Sequence, residues 1–198
     1  MANQQRHEMQ DNDEPNEAQD GPRKRAISIY RASQAKAMIP ARERGAVRKD
    51  HVVHPVTAEG LRRSSQSGAG EVGVGAVARV LFDSPTMHVA YAWFKSGFPL
   101  PVHSHDSDCY YQIIAGSMSL GAKTLAKGDG MLVPAGVPYT VTPGPEGVEF
   151  LEIRPTGNYD TRFRAKTEKY WDRIMGMLSE RRAAWATERQ PYGLLPAD

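Results

Sequence analysis

A single cysteine, Cys109, stands in a chain of 198 residues that has no apolar run approaching the ~20 residues needed to cross a bilayer. One cysteine cannot form a disulfide within the chain, which is typical of proteins from reducing compartments. The N-terminus also lacks the basic and then apolar pattern of a signal peptide. We therefore predict a cytoplasmic protein with no membrane segment.

The first 20 residues lack valine, isoleucine, leucine and aromatic side chains, and six of them are acidic. Such a segment cannot bury enough apolar surface to offset its ordering entropy, so we predict a disordered acidic tail over 1–22. Residues 21–50 then carry nine Lys or Arg against two acidic residues. Only Tyr30 lies among these charges for stacking on bases, so we expect a solvated connector and no nucleic-acid partner.

The basic extension over 23–73 shows weak local patterns. Residues 26–40 have weak helical spacing, 51–56 resemble a short strand, and 60–73 form a flexible joint rich in glycine and serine. From residue 74 to 156, short apolar runs separated by turn residues follow one another. Their regular spacing is typical of a sandwich or barrel, so we predict an all-β domain over 74–156.

No proline occurs from Asp160 to Gln190, where charged and apolar residues alternate. Apolar side chains recur there at steps of seven and four, which predicts a helix with one apolar stripe: Phe163, Tyr170, Ile174, Leu178 and Trp185. We expect a helical extension over 157–198 whose stripe packs on the barrel or on a partner subunit. Gly176 weakens this helix and marks a point where it could divide.

Two histidines one residue apart, His103 and His105, are the first candidates for a metal site. Residues i and i+2 of a strand point to the same face, so both imidazoles are aimed in one direction. Imidazole nitrogen is the commonest protein metal ligand, and two of them supply half of a four-coordinate site. A His-x-His pair often occurs by chance, so whether it indicates a metal site depends on the surrounding sequence.

Those surroundings have a recognisable spacing. From Gly97 to Gly116 the chain reads GFPLPVHSHDSDCYYQIIAG, or G-x5-H-x-H-x3-C-x6-G. This resembles the first signature of the cupin superfamily, usually G-x5-H-x-H-x3–4-E-x6-G. From Gly128 to Tyr139 the chain reads GDGMLVPAGVPY, which resembles the second signature, usually G-x5-P-x-G-x2-H. The resemblance implies a cupin-type double-stranded β-helix, a jelly-roll barrel, with a C-terminal helical cap, and it implies a homodimer.

The superfamily's usual metal ligands are two histidines and a glutamate from the first signature and a histidine from the second. The resemblance implies that His103 and His105 hold a divalent metal ion, with iron favoured over zinc, manganese, nickel or copper. Cys109 stands at the glutamate position and Tyr139 at the second histidine position. Thiol dioxygenases are cupins that also carry a cysteine there, but they supply a third histidine to iron, and no histidine follows His105 in this chain.

Each replacement leaves alternatives open. Cys109 is either a thiolate ligand or a small buried hydrophobic residue that contacts the substrate. Tyr139 is a phenolate ligand, a hydroxyl aimed at a substrate, or an aromatic that fills the barrel mouth. Tyr111 is a metal ligand or base by resemblance to lyases of the superfamily with a tyrosine two residues beyond the glutamate position. Tyr91 and Trp93 are expected to line the cavity and bind the substrate.

Two functions are compatible with this resemblance. The first is a metal-dependent enzyme acting on a small organic substrate, an oxygenase or a lyase, with Tyr139 and Tyr111 as catalytic residues. The second is a non-catalytic sensor or storage protein that binds a small molecule beside an empty or weak metal site. A DNA-binding regulator is disfavoured because the chain has no helix-turn-helix pattern. We favour the enzyme.

Overall fold

The computed structural model describes residues 27–38, 53–67 and 74–193. The predicted acidic tail over 1–22 lies outside the described residues, as do 39–52 and 68–73 of the basic extension. The described residues form two α-helices, α1 (Pro55–Gln66) and α2 (Glu168–Trp185), and the strands β1 (Lys36–Ala37), β2 (Ala76–Asp83), β3 (His88–Phe94), β4 (His103–His105), β5 (Cys109–Leu120), β6 (Lys123–Ala126), β7 (Gly130–Val133), β8 (Thr142–Arg154) and β9 (Thr161–Phe163).

Seven of these strands form one antiparallel sheet in the order β1-β2-β3-β8-β5-β6, and β7 pairs with β5. The remaining two, β4 and β9, pair in a second sheet. The predicted β-rich fold with a C-terminal helix is therefore confirmed. In the described part of the chain, no helix combines the length and apolarity that a membrane span requires.

The core of the barrel lies on the inner faces of β3, β5 and β8. Alternate residues of each strand face it, as the two-residue period of a strand requires. Ten buried residues make up this core: Ala92, Cys109, Tyr111, Ile113, Met118, Val133, Tyr139, Val141, Val148 and Phe150. Tyr111 of β5 lies opposite Glu152 of β8, so residues of both strands meet inside the barrel.

Two glycines let β5 and β8 run through positions where the sequence shows turn residues. Gly116 and Gly147 have φ angles of +69° and +75°, which residues with a side chain rarely adopt. A Cβ on Gly116 would lie 2.1 Å from the carbonyl oxygen of Gly147, so the two backbones approach closely. Each strand therefore continues through its glycine, so the residues before and after Gly116 belong to β5, and those before and after Gly147 belong to β8.

The helix α1 corrects the prediction for this part of the extension. We predicted a strand at 51–56 and a flexible joint from residue 60. Both predictions were wrong for the described residues, because Pro55 begins a helix that continues to Gln66. Pro55 is favourable at a helix start, and Nδ1 of His54 accepts a hydrogen bond from the backbone N–H of Val56 at 3.3 Å. Packing on α2 then stabilises a segment whose own pattern is weak.

The predicted helix over 26–40 was also wrong. Its described part contains only a 3-10 turn at Ala32–Gln34 and the two-residue strand β1. In β1, Lys36 pairs with Val80 and Ala37 with Arg79 of β2. Pairing with the edge of the sheet therefore decides the conformation of this segment.

The C-terminal helix α2 is continuous through Gly176. Most of the predicted stripe is confirmed, since Ile174, Leu178 and Trp185 are buried with Trp171 against the barrel residues Ala76 and Phe98. Phe163 lies in β9 instead, so the extension over 157–198 begins with a strand.

Candidate active site

The two histidines of the predicted metal site lie on the short strand β4, between two other segments. On one side, His103 pairs with Phe163 and His105 with Thr161 of β9. On the other side, His103 forms an isolated antiparallel bridge with Tyr139. Both histidines are buried, and their ring centroids are 4.9 Å apart.

Hydrogen bonds to backbone carbonyls determine which nitrogen of each imidazole carries the proton. Nδ1 of His103 lies 2.8 Å from the carbonyl oxygen of Pro101, and Nδ1 of His105 lies 3.0 Å from that of Asp160. A carbonyl oxygen only accepts, so Nδ1 is the donor in both rings and Nε2 carries the lone pair. Among the described residues, neither Nε2 atom has a hydrogen-bond partner.

Both imidazoles are neutral near pH 7. Burial lowers the pKa of His103. Burial, and then the positive charge of Arg154, lower the pKa of His105 to about 3. A neutral ring with a free Nε2 and an oriented Nδ1–H is the form in which histidine binds a metal.

Tyr139 and Tyr111 meet inside the barrel. The backbones of Tyr139 and His103 exchange two hydrogen bonds, and their ring centroids are 4.5 Å apart. The hydroxyl of Tyr139 is hydrogen-bonded to the hydroxyl of Tyr111. Burial, with the negative charge of Glu152 as the next cause, raises the pKa of both phenols. Both side chains are therefore neutral hydrogen-bond donors.

Cys109 lies in the barrel core on the same strand as Tyr111. It is 1% exposed. Burial and then the charge of Glu152 raise the pKa of its thiol to about 12, so it is protonated at neutral pH. Of the two interpretations left open above, this environment favours the buried hydrophobic residue.

Glu152 and Arg154 on β8 complete the inner surface, and the sequence analysis missed both. Nη2 of Arg154 lies 3.3 Å from Oε2 of Glu152, and the guanidinium lies 4.2 Å from the ring centroid of Tyr159. Two charged residues at alternate positions of the apolar run VEFLEIR are the signal that could have found them, because alternate positions share a face.

Tyr91 and Trp93 lie elsewhere. They occupy the outer face of β3, in a separate cluster with Val77, Leu81, Ile114 and Leu151. The hydroxyl of Tyr91 donates to Oε2 of Glu149 at 2.8 Å. The structure therefore does not bring these two predicted substrate contacts together with Tyr111 and Tyr139.

The described residues supply two ligands, and not a complete set, for a divalent metal ion. In the described part of the chain, no three His, Cys, Asp or Glu side chains are grouped closely enough to hold an ion. His103 and His105 fit as two nitrogen ligands because no described residue occupies either Nε2 lone pair. Further ligands would have to be phenol oxygens, solvent or substrate.

The structure can now be compared with known proteins. It is similar to KdgF from Halomonas sp. (15% identity, 43% of this chain and 83% of that chain, TM-score 0.40). It is also similar to the polyketide cyclase RemF from Streptomyces resistomycificus (18% identity, 51% of this chain and 79% of that chain, TM-score 0.45). A third similar structure is an RmlC-like cupin from Shewanella frigidimarina (22% identity, 44% of this chain and 82% of that chain, TM-score 0.40). One of these three neighbours is itself described as a cupin.

The cupin superfamily therefore stays what the two signatures of the sequence imply. The identities are low and the alignments cover about half of the chain, so no activity is carried over from these proteins. No protein-family model matches the sequence, and no curated protein matches it.

Proposed function

We propose that this cupin is a metal-dependent enzyme that acts on a small organic substrate inside the barrel, as an oxygenase or a lyase. One observation carries the proposal. His103 and His105 are neutral, their Nδ1 atoms are bonded to backbone carbonyls, and no described residue is a hydrogen-bond partner of their Nε2 atoms. Two buried histidines oriented in this way are suited to hold a divalent ion, with iron favoured over zinc, manganese, nickel or copper.

The metal and the tyrosines have separate roles in this proposal. When bound, a divalent ion supplies Lewis-acid or redox chemistry to a substrate beside it. The ring of Tyr139 lies beside that of His103 at a tilt of 49°, and its neutral hydroxyl is a proton donor to the substrate. Tyr111 orients that hydroxyl through the hydrogen bond between the two phenols. Cys109 lies in the core beside Tyr111 as a neutral thiol.

A second candidate is a non-catalytic cupin that binds a small molecule, as a sensor or a storage protein. The observation that favours it is the incomplete ligand set, since the described residues offer no third His, Cys, Asp or Glu ligand. In that case His103, His105 and the two tyrosines would contact an organic ligand directly.

Metal binding separates the two candidates. We expect purified protein to contain a divalent ion, and its melting temperature to rise when that ion is returned to metal-free protein. At a free ion concentration of about 100 times the dissociation constant, binding stabilises the fold by ~2.7 kcal/mol. This corresponds to several degrees, because each kcal/mol moves the melting temperature by roughly 2–4 °C for a domain of this size.

The variant His105→Ala should lose both the ion and the upshift. His54→Ala is the matched control, because His54 is exposed and lies outside the barrel, so its upshift should be retained. A wild-type protein with no bound metal and no upshift with iron, zinc, manganese, nickel or copper would overturn the metal-dependent proposal. The non-catalytic function would then replace it.

A further inference from the structure

Glu152 and Arg154 stand out on the inner surface of the barrel. The residues that face inward from β3, β5 and β8 are otherwise apolar side chains, the phenol of Tyr111, the thiol of Cys109 and His88. On these three faces, Glu152 carries the only carboxylate and Arg154 the only guanidinium. Recognition of charge on a ligand here therefore depends on these two residues.

Arg154 cannot reach a ligand. Its side chain is 0% exposed, and the ring of Tyr159 lies 4.2 Å from its guanidinium. Its Nε is buried without a hydrogen-bond partner. What Arg154 does contact is Oε2 of Glu152, at 3.3 Å, and more weakly the carbonyl oxygen of Ser107, at 3.5 Å. Its role is to fix the position of the carboxylate and to stabilise its negative charge.

The other oxygen of Glu152 is left without a partner. Among the described residues, no group donates a hydrogen bond to Oε1, and the side chain is 11% exposed. Unlike Nε of Arg154, this oxygen is not among the fully buried atoms. A carboxylate oxygen that remains accessible while Arg154 holds the other oxygen can accept a hydrogen bond from a ligand.

We infer that Oε1 of Glu152 accepts a hydrogen bond from a hydroxyl or ammonium group of the ligand, and that the barrel disfavours carboxylate ligands. A carboxylate would face the negative charge of Glu152 at low dielectric, with the guanidinium of Arg154 fully buried behind it. The other residues that face inward from these strands include no guanidinium or ammonium group that could compensate this charge. The inference rests on the proposed function only in taking the barrel interior as the ligand site.

Three probes of one size test the charge preference: benzylamine, benzyl alcohol and benzoate. Titration calorimetry at neutral pH on metal-free protein should give the tightest binding for benzylamine, which is then a cation, and the weakest for benzoate. We expect at least a tenfold difference in dissociation constant between these two. Glu152→Gln should reduce that ratio at least tenfold. Glu149→Gln, a matched buried carboxylate on the outer side of β8, should preserve it.

Three results would overturn the inference: benzoate binding at least as tightly as benzylamine, no detectable binding of any probe, or an unchanged ratio in Glu152→Gln. If that variant does not fold, the ranking of the probes by the wild-type protein decides alone. Because the titrations use metal-free protein, their outcome is independent of metal binding. A protein that binds no metal but prefers benzylamine would lose the proposed enzyme function and keep this inference.

Discussion

The backbone of Tyr139 exchanges two hydrogen bonds with that of His103, at N···O distances of 3.1 and 2.9 Å. The two rings consequently lie side by side, with centroids 4.5 Å apart. The last residue of the second signature thus lies against the first histidine of the first signature. The resembled signature has a histidine at this position, and the short distance between Tyr139 and His103 supports a role for the Tyr139 hydroxyl beside the two imidazoles.

The bond between Tyr139 and Tyr111 should be measurable as a contribution to stability. Tyr139→Phe leaves the buried hydroxyl of Tyr111 without this partner, which we expect to lower the free energy of unfolding by roughly 1–3 kcal/mol. Tyr111→Phe should have a similar effect, and the double variant should lose less than the sum of the two. Urea denaturation provides the measurement. Strictly additive losses would contradict a direct bond between the hydroxyls.

Cys109 should be unreactive in the folded protein. Its thiol has a pKa of about 12, so very little thiolate is present at pH 8. We expect a disulfide reagent to modify it rapidly in denaturant and far more slowly under native conditions. Equal rates in both conditions would refute the burial of this thiol.

The same pKa predicts a loss of stability in alkali. The folded pKa of Cys109 lies above the ordinary value of 9.0, so the unfolded chain loses its proton first. The associated stability is complete below pH 9 and is lost as the pH rises from about 9 towards 12. Cys109→Ala should show a smaller decline than wild type over this range, measured by denaturation at each pH.

Substituting alanine for a glycine should have opposite effects on stability in the two helices. A Cβ on Gly60 of α1 would lie 1.9 Å from the indole of Trp171, so Gly60→Ala should cost roughly 1–3 kcal/mol through overpacking. A Cβ on Gly176 of α2 would have no described atom within 4 Å. Gly176→Ala should therefore stabilise the protein by roughly 0.5–1 kcal/mol, through its higher helix propensity. Thermal unfolding of both variants checks the contrast, and a shared sign would contradict it.

Breaking the buried ion pair of Glu152 and Arg154 should lower the free energy of unfolding more than breaking an exposed ion pair does. Arg154→Met leaves the carboxylate of Glu152 unpaired, and breaking a buried pair in this way costs about 3–5 kcal/mol. Adding Glu152→Leu should restore much of that loss, because no buried charge is then left alone. Arg62→Met, which breaks the exposed pair with Glu59, should leave the unfolding midpoint unchanged. Similar effects of the two single variants would argue against a buried ion pair.

Homodimer formation stays a prediction from the cupin resemblance, and the cytoplasmic location likewise rests on the sequence. The apolar stripe of α2 does not supply a free surface for a partner, since Trp171, Leu178 and Trp185 are buried within the chain. Light scattering at high micromolar concentration should give twice the chain mass of 21.9 kDa. A mass of one chain would show that the resemblance does not extend to assembly.

The sequence by itself determined the features that depend on neighbouring residues. Short apolar runs separated by turn residues predicted the all-β domain, because strands and turns are encoded locally, and the resemblance to the two signatures singled out Tyr139. The stripe of α2 was predictable for the same reason, since its apolar residues recur with the period of a helix. Strand parity alone predicted that His103 and His105 share one face of their strand, and that Cys109 and Tyr111 share one face of theirs.

Only the tertiary structure decided which face of each strand points inward. Both faces of β3 are apolar, so its sequence cannot say that Tyr91 and Trp93 lie outside the barrel while Ala92 lies in its core. Glu152 and Arg154 face inward because β8 is held between β3 and β5, whose inner faces fix its orientation. That orientation depends on contacts between residues distant in the chain, and it determines which charges a ligand in the barrel would meet.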